Sequence, residues 1–158
     1  MSSAAEHATL AYRERFRDAY WDEHDPIADE RLLWRAQTFR HTVHCLPGQR
    51  ILELGSGGGR FTRALRAVTR GENPLTCVTF ELRTEAAPEG VERLATDDLA
   101  RALAGREFDF VVGIDLLDAR SAEWLLPILH EHLAPGGQLV FYESNPWNVV
   151  LRLGNRLR

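Results

Sequence analysis

Arg50-Ile-Leu-Glu-Leu-Gly-Ser-Gly-Gly-Gly-Arg-Phe-Thr62 reads as a short buried strand, a glycine-rich turn and the opening of a helix. Gly55, Gly57 and Gly59 alternate, so the backbone can turn sharply and a ligand can approach it without meeting a Cβ atom. Amides at the start of the following helix add donors and the positive end of a dipole. This is a nucleotide-type binding turn, and its details choose between ligands. A dinucleotide fingerprint requires Gly-x-Gly-x-x-Gly, and counted from Gly55 its third glycine position holds Arg60. A phosphate-cradling loop requires Gly-Lys-Ser/Thr, and the chain has no lysine.

Around this turn, strand and helix patterns alternate. Before it, Leu10–Tyr20 is helical, with Tyr12, Phe16 and Tyr20 forming one aromatic stripe. Asp25-Pro26 has the character of a helix start, Asp25 as cap and Pro26 at the first position. The helix that follows runs to about Cys45 with Leu32, Ala36, Phe39 and Val43 on one face, and Pro47-Gly48 ends it. After Ile51–Leu54 come a helix from Arg60 to about Thr69 and a strand over Leu75–Phe80. A short strand over Val91–Thr96 and a helix over Asp98–Leu103 follow, then an apolar strand over Phe108–Ile114. The core closes with a helix over Ser121–Leu133, a turn at Ala134–Gly137 and a strand over Gln138–Tyr142. The order predicts an α/β fold: a doubly wound parallel sheet of about five strands, Rossmann-like, with an N-terminal helical extension. Residues 1–46 form the extension and 47–158 the core. Ligands of such sheets sit beyond the carboxyl ends of the strands.

Composition narrows the function. The 158 residues suffice for one domain, and 44% hydrophobic with 27% charged residues is ordinary for a globular chain. A net charge of −4 argues against a nucleic-acid partner held by backbone charge. No apolar run approaches the ~20 residues of a membrane span. Met1-Ser-Ser-Ala-Ala-Glu-His7 lacks a secretory pattern, so a cytoplasmic location is expected. Cys45 and Cys77 are too few for a disulfide framework or a zinc site, and no metal is expected.

The run from Glu53 to Gly59, Glu-x-Gly-x-Gly-x-Gly, resembles the first motif of class I S-adenosylmethionine-dependent methyltransferases. Leu133-Ala-Pro-Gly-Gly-Gln-Leu-Val-Phe141 resembles the turn and fifth strand of that family, and the likeness extends from about Pro47 to Glu143. The resemblance implies an S-adenosylmethionine cofactor and a small-molecule acceptor. Gly55, Ser56, Gly57 and Gly59 would then meet the amino-acid tail and ribose through backbone. Glu53 would anchor the ammonium, directly or through water, or brace the loop, and the two roles are compatible. Glu81, 22 positions beyond Gly59 at a strand end, is placed to accept the ribose hydroxyls, with Leu82 beside it. Asp97 is the better candidate for the adenine amino group and Asp98 for a helix cap. Asp115 ends the fourth strand near the expected methyl donor.

The chain departs from the family in two places. Many small-molecule members carry Glu-His after strand four, where this chain has Asp118-Ala119, which leaves the general base open. Glu143, Asp115 and His24 are the catalytic candidates, with His41 and His44 more simply read as helix-end histidines. Trp21, Trp34 and the aromatic stripe are candidates for the acceptor pocket or for plain helix packing. Asn145-Pro-Trp147 resembles the motif of amino-methylating enzymes but follows the wrong strand. The family also ends in an antiparallel strand pair, whereas Val149–Arg158 reads as a basic helix. That leaves strand five as a sheet edge for a homodimer or a partner domain, in a compact enzyme or a fragment of a larger one. Two other functions remain in view: a non-catalytic cofactor-binding or regulatory domain, and a NAD-linked oxidoreductase disfavoured by Arg60.

Overall fold

A computed structural model of the chain describes residues 4–81 and 87–144. Leu82, Asn145-Pro-Trp147 and the expected helix at Val149–Arg158 lie outside the described residues. Ten elements follow one another: α1 (Ala4–His24), α2 (Ala28–Thr42), β1 (Ile51–Leu54), α3 (Arg60–Thr69), β2 (Leu75–Thr79), β3 (Val91–Ala95), α4 (Leu99–Leu103), β4 (Phe108–Ile114), α5 (Ala119–Glu131) and β5 (Leu133–Tyr142). The five strands form one parallel sheet in the order β3-β2-β1-β4-β5. Strand order reverses between β1 and β4, which is where such sheets hold ligands.

Both faces of the sheet are covered, so its central strands are apolar on both sides. Ile51, Phe110, Val112 and Ile114 pack with Leu32, Ala36 and Phe39 of α2 and Phe61 and Leu65 of α3. Leu52, Leu54, Val78 and Val111 pack on the other face with Leu10, Leu99, Leu103, Leu125 and Leu129. Alternation along β1 and β4 therefore sends successive side chains into two separate cores.

Local capping differs from the expectation at α2. The helix begins at Ala28 after Ile27, which makes no side-chain cap, and Asp25 with Pro26 forms a preceding turn. Asp25 lends its carbonyl to the Ala28 N–H at 3.1 Å, and its carboxylate is taken by Arg31 at 3.0 Å. The Ala134–Gly137 turn lies inside β5 as an irregularity: pairing steps from Phe108↔Leu133 to Phe110↔Gln138. At α4 and α5 the caps are Asp98, accepting from the Arg101 N–H, and Asp118, in a reciprocal pair with Ser121.

The largest departure is α1. Its aromatic stripe faces water, with Tyr12, Phe16 and Tyr20 at 57%, 52% and 46% exposure. The inward stripe is His7, Leu10, Glu14, Arg17 and Trp21. Trp34, a second pocket candidate, also points outward. Polar satisfaction explains the inversion: the inward groups pair with backbone donors and acceptors at the strand tips, which burial would otherwise leave unmatched.

Phe39 is fully buried and meets Phe110 edge-on at 5.9 Å, joining α2 to the sheet. Phe39→Ala should lower unfolding stability by about 3–5 kcal/mol in urea titrations. A loss under 1 kcal/mol would mean α2 is not part of the cooperative core.

Candidate functional site

The glycine turn after β1 takes the form its sequence requires. Gly55, Gly57 and Gly59 have φ of 65°, 50° and 76°. Ser56 donates its N–H to the Val78 carbonyl at 2.9 Å, and the Gly59 N–H bonds the Ser56 carbonyl at 2.8 Å, so the turn is pinned to β2 and closed on itself. A Cβ at Gly55 would fall 2.7 Å from the Leu116 side chain, whereas at Gly59 nothing comes nearer than 3.4 Å. A Cβ at Gly57 would fall inside the carboxylate of Asp18.

Glu53 lies beneath this turn, 2% exposed, and accepts the Thr62 hydroxyl at 2.6 Å. The bond ties β1 to the first turn of α3. Burial pushes the Glu53 carboxyl up to about 7, against the lowering effect of Thr62 and of the more distant Arg17. In this position the carboxyl braces the loop from within.

Above the turn, α1 runs across the strand tips. Arg17 donates to the Gly55 carbonyl at 2.7 Å and to the Ile114 carbonyl at 3.0 Å, bridging the ends of β1 and β4. Its guanidinium also pairs with Asp18 at 2.8 Å and lies 4.5 Å from the Trp21 ring centroid. Asp18 in turn accepts the Gly58 N–H at 2.9 Å. One turn earlier, Glu14 accepts the Thr79 hydroxyl and, at 3.0 Å, the Phe80 N–H, and burial raises its pKa. Arg15 reaches Glu81 at 3.1 Å, Arg13 pairs with Asp118, and His7 Nε2 accepts the Leu99 N–H at 3.0 Å.

Beside this covered centre, a cavity of about 770 Å³ is lined by Phe80, Glu81, Ala95, Thr96, Asp97 and Asp98, among others. It collects the three expected carboxylates of the β2 and β3 ends. Asp97 is exposed there, while Asp98 is committed to capping α4. Asp115, in a left-handed conformation at φ 51°, accepts the Ser144 hydroxyl at 2.9 Å. Glu143 accepts the Leu116 and Leu117 amides at 3.1 and 2.9 Å. The residue keeps solvent contact, yet desolvation of its carboxyl against that loop pushes it up to about 7, with Asp115 adding to the rise.

Three histidines stand apart from these groups. His24 ends α1, exposed, 3.6 Å from Glu23. His41 and His44 line a second groove, of about 650 Å³, together with Arg40, Cys45 and Arg70. Sequence reasoning missed Glu14, Arg17 and Asp18. Their signal was present as charges on the face opposite the aromatic stripe, a face that a simple amphipathic reading assigns to water.

The architecture is the Rossmann-like fold found in methyltransferases, with a glycine turn at the switch point and acidic residues at the next two strand ends. A solved plantazolicin methyltransferase, BpumL, in complex with SAH matches 96% of this chain and 63% of its own at a TM-score of 0.64 and 15% identity. Coclaurine N-methyltransferase bound to N-methylheliamine and SAH matches 77% of this chain and 38% of its own at a TM-score of 0.58 and 20% identity. In sequence the chain is similar to the ubiquinone biosynthesis O-methyltransferase of Azotobacter vinelandii, 26% identical over 157 residues, covering 90% of this chain and 65% of that protein. The Nitrosococcus oceani protein of the same name is 26% identical, covering 86% of this chain and 61% of its own length. The chain thus spans a little under two thirds of these relatives. No protein-family model matches it.

The Glu53 shift has a definite pH signature. A carboxyl whose folded pKa exceeds its unfolded value holds an extra proton in the native state between the two, so stability falls as pH rises through that window. Between pH 4.5 and about 7, wild type should lose up to about 3 kcal/mol relative to Glu53→Gln, which keeps an acceptor for Thr62. Denaturant titrations across the window would measure it, and parallel curves for the two proteins would show that Glu53 ionises normally.

Proposed function

We propose that this chain is the cofactor-binding core of an S-adenosylmethionine-dependent methyltransferase acting on a small organic acceptor. The carrying observation is the set of atoms at the β1/β4 switch point. The Gly55 and Ile114 carbonyls converge on one cationic group, and the Gly58 N–H faces an anionic one, within reach of a single side-chain pair. An amino-acid tail presents that combination of charges. Glu81, at the end of β2, and the neighbouring cavity with Asp97 suit a ribose diol and an adenine amino group. The core residues therefore fit the cofactor, while α1 stands over the same atoms.

When bound, the sulfonium would supply a methyl group already activated for in-line displacement. The chain's own contribution would be to align the acceptor and exclude water. An oxygen acceptor is favoured by the names of the relatives, and Glu143 is the side chain suited to take its proton. Its elevated pKa lies near the pH at which a general base works best. Asp115 and Ser144, hydrogen-bonded beside it, would orient the loop after β4. An edge partner over β5, a second copy or a further domain, belongs to the same reading, supported by the place of β5 at the end of the sheet order. No described helix is long and apolar enough to cross a membrane, which accords with a cytoplasmic enzyme.

Calorimetric titration with S-adenosylmethionine, S-adenosylhomocysteine and NAD tests the reading. Binding of the first two without the third is expected, and binding of NAD alone would overturn it. Glu81→Ala should weaken S-adenosylhomocysteine binding by about 1–3 kcal/mol through loss of charge-assisted hydrogen bonds. Unchanged affinity in a folded Glu81→Ala protein would remove Glu81 from the site.

A further inference from the structure

We infer that α1 is a displaceable internal occupant of the cofactor cleft, an autoinhibitory helix whose Arg17–Asp18 pair imitates the charges of an amino-acid tail. The inference rests on the proposed function and adds a regulation of that same site. Arg17 places a cation on the Gly55 and Ile114 carbonyls, and Asp18 places an anion on the Gly58 N–H. The two side chains are themselves ion-paired, so together they present a compact zwitterion. Arg15 covers Glu81 in the same way, its N–H donors standing where hydroxyl donors would. The Asp18 carboxylate also sits in the space that the missing Gly57 side chain leaves open. A ligand using these atoms and this space competes with α1 one for one.

The helix is built to let go. Only Leu10 and Trp21 among its five buried residues are apolar, while its aromatic stripe already faces water. Lifting α1 uncovers Leu10 and Trp21 with the core side chains they pack on, and against that cost its released charges regain hydration. α2 is held by more apolar anchors, with Ala28, Leu32, Ala36 and Phe39 all buried in the core. The short turn between His24 and Ala28 can thus act as the hinge without disturbing the sheet.

The test uses the full chain and S-adenosylhomocysteine as probe. Arg17→Ala/Asp18→Ala should bind it at least tenfold more tightly than wild type in calorimetry, and the gentler Asp18→Asn should shift affinity in the same direction. In wild type, hydrogen exchange should become faster across residues 4–24 and slower across residues 55–62 when the probe is added. Equal or weaker binding by the variants, or slower exchange in both segments, would overturn the inference and leave the methyltransferase reading intact. If none of these proteins binds the probe while their thermal melts show them folded, the methyltransferase reading fails and the occupant role with it.

Discussion

The structure turns on bare backbone at the tip of β1. The chain must leave a fully buried strand, reverse and enter α3 within five residues, and it does so through three positive-φ glycines, Gly55, Gly57 and Gly59. Left-handed backbone is open to glycine at little steric cost, and the same lack of side chains leaves carbonyls and amides uncovered. The Gly55 carbonyl is buried beside the Ile114 carbonyl at the end of β4, where Arg17 bridges the two. Buried backbone polar groups are matched in folded proteins, so something must approach and match them. The fold and the proposed function both follow from that demand.

In the described structure the partner is α1. It supplies a guanidinium to two carbonyls, a carboxylate to one amide and a second carboxylate to the end of β2. A helix that buries Glu14 and Arg17 would be unstable against an apolar surface, because desolvated charges need partners. Against strand tips it is well matched. The same atoms would recognise the small zwitterion proposed for the cleft, which links the packing of α1 to that chemistry.

Glu53 shows how position changes the reading of a residue. By motif it belongs to the ligand-binding turn, and its carboxyl instead sits under the turn, bonded to Thr62 and shielded from water. Glu143 lies at the other end of the range, open to solvent yet held by two loop amides. Both are pushed up to about 7, chiefly by desolvation, but only Glu143 is open to solvent.

Much of this was written locally. The apolar alternation of β1 and β4, the spacing of the three glycines and the cap Asp98 depend on neighbours a few residues away, so the order of strands and helices, the parallel sheet and the glycine turn after β1 were legible from sequence. Tertiary structure alone decided which face of α1 turns inward. Periodicity marks two stripes on that helix and favours burying Tyr12, Phe16 and Tyr20. The choice went to the charged stripe because its partners, the Gly55 and Ile114 carbonyls and the Gly58 amide, come from strands and loops distant in sequence and meet only once the sheet is assembled. Hydrogen-bond demand at an assembled strand edge has no periodic signature, and that is why the sequence marked the glycine turn while only the folded chain showed that α1 covers it.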